Sequence, residues 1–302
     1  MFNKFIMENL NQIGNGTFSV KIINKKKSQD IANNYFKINS KFKIGVLIAG
    51  NAGRPGGALG KVDGTGINGS YNRKFKTQEE DVLASWLQGE EVIWKKKHSI
   101  KKFDPDLVFR DNLGVNARGG RPWGMINPNR KLGSGGARLT LQGKDFTRPF
   151  YNKITNRIEM KQSRNYNFSY TLKHKPLLNS QKTKMAIVDL VFVYGPNIAY
   201  NSKTKHGTGS RTKVQNYRFT RDYPVFRESV KVALKAGLIR MIKNKDKIAI
   251  LALVSGGIYA GKGRTREKIL KEYPFIINEI LLERYTNKKI GSYFVEVILP
   301  IL

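Results

Sequence analysis

The chain has 302 residues, with 55 Lys and Arg against 22 Asp and Glu, a formal charge of +33. Apolar residues at 40% and aromatics at 11% are enough for a packed core and exclude a wholly disordered basic tail. The absence of cysteine excludes a disulfide scaffold, a thiolate zinc site and a cysteine nucleophile, and three histidines (His98, His174, His206) argue against a histidine metal cage, so no metal or cofactor is expected.

In chain order, residues 1–40 are polar and mixed and read as an N-terminal extension. Its interrupted apolar pattern carries no signal peptide, and Ile248–Val254 is far short of the ~20 apolar residues of a membrane span. A soluble, intracellular chain, cytoplasmic or nuclear, with no membrane partner is expected. Its Lys-, Asn- and Ile-rich composition points to an AT-rich genome.

Phe42–Ala49 is a short apolar run bounded by glycine, as expected of a buried parallel strand. It opens into a glycine-rich loop, residues 50–60. A helix is predicted from Thr77, whose hydroxyl would cap it with Glu80 three residues on. Val82, Leu83, Trp86 and Leu87 would form its buried face. Residues 89–184 read as a basic, loop-rich insertion: Asn112–Val188 holds 15 basic residues and two acids, Asp145 and Glu159. Lys95, Lys96, Lys97, Lys101 and Lys102 stand out there as candidate polyanion contacts, with RNA or DNA as the partner they would serve.

Met185–Tyr194 is the next strand, followed by a basic loop. Phe226, Val230, Ala233, Leu234, Gly237, Leu238 and Met241 share a helical stripe. Lys247–Val254 is a buried strand that runs into a second glycine loop, Ser255–Gly261. Arg266–Arg284 is predicted helical, with Pro274 kinking it or opening a second helix, and Tyr293–Ile301 closes the chain as a strand. Strands alternating with helices imply an α/β domain with a largely parallel sheet.

Both glycine loops follow a buried strand, where an open parallel sheet places its ligand. Such loops let backbone N–H groups approach a diphosphate, but they also serve as plain tight turns. Named phosphate motifs fail: a P-loop ending at Gly60-Lys61 has Pro55 and Val62 where Gly and Ser or Thr are needed. Gly64-Thr-Gly66-Ile-Asn-Gly69 follows no strand.

The order of apolar strand, Pro55-Gly56-Gly57-Ala58-Leu59-Gly60 and then Gln78-Glu79-Glu80 at a helix start resembles the microbial-type poly(ADP-ribose) glycohydrolases of the macrodomain superfamily. Val193–Asn197 is similar to that family's Tyr-x-Pro turn, and Ser255–Gly261 to its second phosphate loop. Residues 40–90 and 185–302 carry the resemblance. Ala58 stands where a third glycine is usual and Arg54 where Asn is usual, and about ten extra residues separate the glycines from Gln78.

The resemblance implies a macrodomain-like three-layer α/β/α sandwich with a mixed, largely parallel sheet, spanning 1–302 as one domain. It also implies ADP-ribose, or an ADP-ribosylated protein, as ligand. Glu80 would be the general acid and base, Glu79 would hold the ribose hydroxyls, and Gln78 and Asn51 would meet the ligand. Gly56 and Gly57 would pack on ribose and diphosphate. Ser255, Gly256, Gly257 and Ile258 would line the diphosphate, and Tyr259 would pack beside it.

Each assignment has a plainer counterpart. Acids at a helix start compensate its dipole, Tyr259 suits a sheet edge, and Asn51 suits a turn cap. The alternatives to hydrolysis are an ADP-ribose-binding module without cleavage and a nucleic-acid-associated protein on a macrodomain-like core.

Overall fold

The structure is a computed structural model that describes residues 19–38, 41–50, 59, 70–72, 75, 77–98, 102–113, 136–140, 147–152, 157–162, 167–195, 219–260 and 263–301. Five helices are described: α1 (Ser28–Ile38), α2 (Gln78–Lys97), α3 (Pro105–Leu113), α4 (Phe219–Asn244) and α5 (Arg264–Leu282). The strands are β1 (Ser19–Asn24), β2 (Ile44–Gly50), β3 (Gly136–Thr140), β4 (Thr147–Asn152), β5 (Arg157–Gln162), β6 (Asn167–Leu178), β7 (Met185–Tyr194), β8 (Ile248–Ile250), β9 (Arg284–Tyr285), β10 (Lys288–Lys289) and β11 (Glu296–Ile301).

Seven strands form the main sheet in the order β1-β11-β8-β2-β7-β6-β3. The first five run parallel, and β6 is antiparallel to both β7 and β3. All five parallel strands therefore end at one edge of the sheet, the upper edge below.

Alternation along β2 sets the layers. Ile44, Val46 and Ile48 face one core with Val82, Leu83, Trp86 and Leu87 of α2, whereas Leu47 faces the other with Phe226, Val230 and Leu234 of α4 and Ile269, Ile276 and Ile277 of α5. Helices cover both faces, giving the three layers of an α/β/α sandwich. Trp86, with no exposed surface, anchors its layer. No helix among the described residues is long and apolar enough to cross a membrane.

Several expected boundaries move. The supposed extension supplies β1, an edge strand paired with β11, and α1, whose Ile31 and Ala32 are buried. Alternating polar residues on a half-covered edge hide such a strand from a search for apolar runs. The basic insertion is also narrower than 89–184. Residues 89–97 continue α2, and β6 is part of the main sheet, paired with β7 through Leu178↔Met185. Backbone carbonyls of β6 are tied to α1 and α2: Asn33 Nδ2 donates to Leu177 O at 2.9 Å, and Ser85 Oγ donates to Leu178 O.

Pro274 neither splits nor ends α5, which is one helix from Arg264 to Leu282. β8 keeps three residues of the longer run expected: residues 251–253 are irregular and the chain turns from Val254. β11 begins at Glu296, after a 3-10 turn, Ile290–Tyr293.

Candidate functional site

At the upper edge, β2 ends at Gly50, β7 ends at Tyr194, and the chain leaving β8 bends through residues 251–260. α2 starts in the same place. Past Val46, β2 has lost its pairing with β8 while its pairing with β7 continues to Gly50. Gln78 fills that gap. Its Oε1 accepts from Ala49 N–H at 3.1 Å and its Nε2 donates to Leu47 O at 2.9 Å, so one side-chain amide does the work of a missing strand. Gln78 therefore places the start of α2 against the end of β2.

The three acids that follow have separate surroundings. Asp81 is held by Lys27 Nζ at 2.9 Å and by Gln29 Nε2 at 2.6 Å, which fixes α2 to the start of α1. Glu79 and Glu80 are both 6% exposed. Glu79 lies over the end of β2, where a Cβ added to Gly50 would stand 3.6 Å from its Oε1. Burial pushes the Tyr259 hydroxyl well above the usual phenol range, and the negative charges of Glu79 and Glu80 push it further. Gly50 pairs with Tyr194 and Ser255 packs against Gly195, so the acid pair and the bend after β8 lie at one edge of the sheet.

The expected Thr77 cap is not formed. Thr77 has extended φ and ψ, and its Oγ1 makes no side-chain cap bond. Gln78 and the Lys27–Asp81 contact anchor the helix start instead, which a capping-box reading does not anticipate.

The bend after β8 is braced from behind. Tyr273 of α5, fully buried, donates its hydroxyl to Val254 O. Its ring stands 3.1 Å from a Cβ added to Gly256, so glycine at 256 serves packing. The Gly256 N–H already donates to Leu253 O at 2.9 Å. Around Gly257 an added Cβ meets no atom within 4 Å, and the residue is exposed. Ile258 and Tyr259 open a 3-10 turn, Ile258–Ala260.

Ser255 has a left-handed backbone, φ 59°, and a buried Oγ without a hydrogen-bond partner among the described residues. That Oγ occupies the space a side chain at Gly195 would need, so the exits of β7 and β8 fit together only with glycine at 195.

The structure thus brings together Gln78, Glu79, Glu80, Ser255, Gly256, Gly257, Ile258 and Tyr259. Asn51, Gly56 and Gly57 lie outside the described residues, as does Lys101. Lys95, Lys96 and Lys97 form the exposed last turn of α2, at the far end of that helix from the acids, and Lys102 is exposed beyond it. Lys95, Lys96 and Lys97 belong to a core helix, where Lys95 pairs with Glu91 at 2.9 Å, and not to an insertion. Trp94 packs between His98 and Phe103, so this aromatic joins local packing. Tyr273 and Lys27 escaped the sequence reading, and Gly195 entered it only as part of a turn, because their roles depend on partners 19, 54 and 60 positions away.

No family model and no curated protein matches the sequence. Solved structures that are similar include poly(ADP-ribose) glycohydrolase from Thermomonospora curvata bound to the inhibitor ADP-HPD, with 10% identity over 97% of this chain and 76% of that one, TM-score 0.44. Poly(ADP-ribose) glycohydrolase from Deinococcus radiodurans in complex with ADP-ribose is similar at 11% identity, over 99% and 84% of the two chains, TM-score 0.42.

Proposed function

We propose that the upper edge of the sheet is the active site of an ADP-ribosyl glycohydrolase that releases ADP-ribose, or units of its polymer, from a modified protein. The observation that carries this reading is that Glu79 lies over Gly50, whose partner across the sheet is Tyr194, while Ser255 packs against the adjacent Gly195, so the two segments whose motifs resemble the glycohydrolase signature meet at one sheet edge. Glycosidic cleavage needs a carboxyl group that can give and take a proton, and a second group that stabilises the oxocarbenium-like sugar. Two adjacent buried carboxyl groups at a helix start meet that need.

In this mechanism Glu80 donates a proton to the leaving oxygen as the bond to the anomeric carbon breaks. It then takes a proton from the water that adds to that carbon, which restores its starting state. Glu79 accepts hydrogen bonds from the ribose hydroxyls. Tyr259, still protonated, donates a hydrogen bond or packs on the sugar, and the exposed Gly257 leaves room for the diphosphate.

The test is release of ADP-ribose from an ADP-ribosylated protein, run beside calorimetry with free ADP-ribose. Wild-type protein should release ADP-ribose, and Glu80→Gln should bind it but release it about 10²–10⁴-fold more slowly. Binding without release by wild-type protein would make the chain an ADP-ribose-binding module, and neither binding nor release would end the reading.

A further inference from the structure

The lower edge of the sheet, where the parallel strands begin, is built in the opposite sense. Asp189 of β7 lies opposite Gly45 of β2, and Asp246 comes in beneath the end of α4 so closely that a Cβ at Gly45 would stand 2.7 Å from its Oδ2. Asp189 is 3% exposed and Asp246 1%. The backbone around this pair carries a ring of cations. The His174 N–H donates to Asp189 Oδ1 at 2.8 Å, which places the bulge of Lys173 and His174 beside the pair. Lys245 and Lys247 flank Asp246 in the chain, and the Lys247 N–H donates to Lys43 O at 2.8 Å. Lys43, Lys173, Lys243, Lys245 and Lys247 are all exposed. None of the five makes an ion pair among the described residues, although Lys247 Nζ donates to Tyr293 O at 3.3 Å. Asp189 and Asp246 are turned inward, and Glu296, whose N–H donates to Lys247 O at 3.4 Å, pairs with Lys21 at 3.9 Å. Earlier on the same helix, Arg227, Lys231 and Lys235 meet Glu272, Glu279 and Glu283 at 2.5–3.2 Å.

We infer that this lower edge is a docking surface for the phosphodiester backbone of a nucleic acid. Lys173 lies on β6, Lys43 precedes β2, Lys243 is in the last turn of α4, and Lys245 and Lys247 precede β8, so the set reaches across β6-β7-β2-β8, three strand intervals or about 15 Å. A nucleic-acid strand carries one phosphate per about 3.4 Å of helix axis, so the track spans about four phosphates. Lysine ammonium groups, as mobile point charges, suit phosphates without reading base sequence. A folded acidic protein would need carboxylates repeated at that density over the same length. The surface lies at the opposite edge from Glu79 and Glu80, so it acts independently of the proposed hydrolysis.

The experiment is fluorescence anisotropy with labelled single-stranded and duplex oligonucleotides of about 20 nucleotides, as RNA and as DNA, over about 50–200 mM salt. The variants are K43E/K173E/K245E/K247E, its glutamine counterpart K43Q/K173Q/K245Q/K247Q, and a control reversing the same charge elsewhere, K25E/K26E/K37E/K271E. The lower-edge reversal should cost at least about tenfold in affinity and reduce the slope of log K against log salt by about 3. The glutamine set, which covers failure of the reversed variant to fold, should reduce the slope in the same direction, and the control should lose less than half as much. Equal losses for lower-edge and control variants would show that binding follows net charge alone and would overturn the proposal. So would tighter binding of polyglutamate than of an oligonucleotide of equal charge. ADP-ribose release should be unchanged in the lower-edge variants, so failure here is distinguishable from failure of the hydrolase reading.

Discussion

The sheet carries a pair of buried carboxyl groups at each edge, and the two pairs have different surroundings. Glu79 and Glu80 begin a helix, in the field that favours negative charge, and face the exits of β7 and β8, with the exposed Gly257 nearby. Asp189 and Asp246 are sealed between the sheet and the end of α4. There burial, with the charge of Asp189 adding to it, raises Asp246 to about 8. Burial of two acids is thus no mark of catalysis by itself. The surroundings differ: a strand end with a bend and a phenol at one edge, a closed floor at the other.

Glu80→Gln should separate the two pairs most sharply, with the loss of release given above and little change in melting temperature. Asp246→Asn should do the reverse, leaving release intact. Because the folded chain holds Asp246 above its ordinary value of 3.8, folding takes up a proton between 3.8 and about 8. The stability this group contributes is complete below the ordinary value and is lost as pH rises through the raised one. Thermal melts from about pH 5 to about pH 9 should show wild-type protein weakening toward alkaline pH and Asp246→Asn weakening less. An unchanged slope in the variant would place the ionisation elsewhere.

Gln78→Ala removes both bonds to the open stretch of β2 and leaves Leu47 O and Ala49 N–H without that amide. A loss of about 1–3 kcal/mol in denaturant melts is expected, with slower release because the start of α2 is freed. Gln78→Glu, which keeps the acceptor for Ala49 N–H and loses the donor for Leu47 O, should recover only part of it. The smallest effect belongs to Lys27→Ala. Its contact with Asp81 is partly solvated, with Lys27 38% exposed, and should be worth about 0–1 kcal/mol. A larger loss would mean that the Lys27 clamp, more than Gln78, holds the helix start.

Legibility in the sequence followed burial. β2, β7, and the apolar stripes of α2 and α4 are continuous or periodic apolar patterns, and their residues have almost no exposed surface. β1, at the edge, and β6, with Lys173, His174 and Lys175 in its bulge, mix polar residues into core strands and read as loops. At the site, the acid pair and the Ser255–Tyr259 bend could be picked out because glycines and adjacent acids are visible locally. Gly195 against Ser255, Tyr273 behind Val254 and Gln78 along β2 could not, since each role exists only once distant segments meet. The lower-edge lysines come from segments near residues 43, 173 and 245, and no window of sequence contains them together.

The most direct measurement is a crystal structure of the Glu80→Gln protein with ADP-ribose. The account predicts the ligand's terminal ribose within about 3 Å of the carboxyl-derived groups at 79 and 80, with its diphosphate along residues 255–258. ADP-ribose bound anywhere else on the molecule would contradict it.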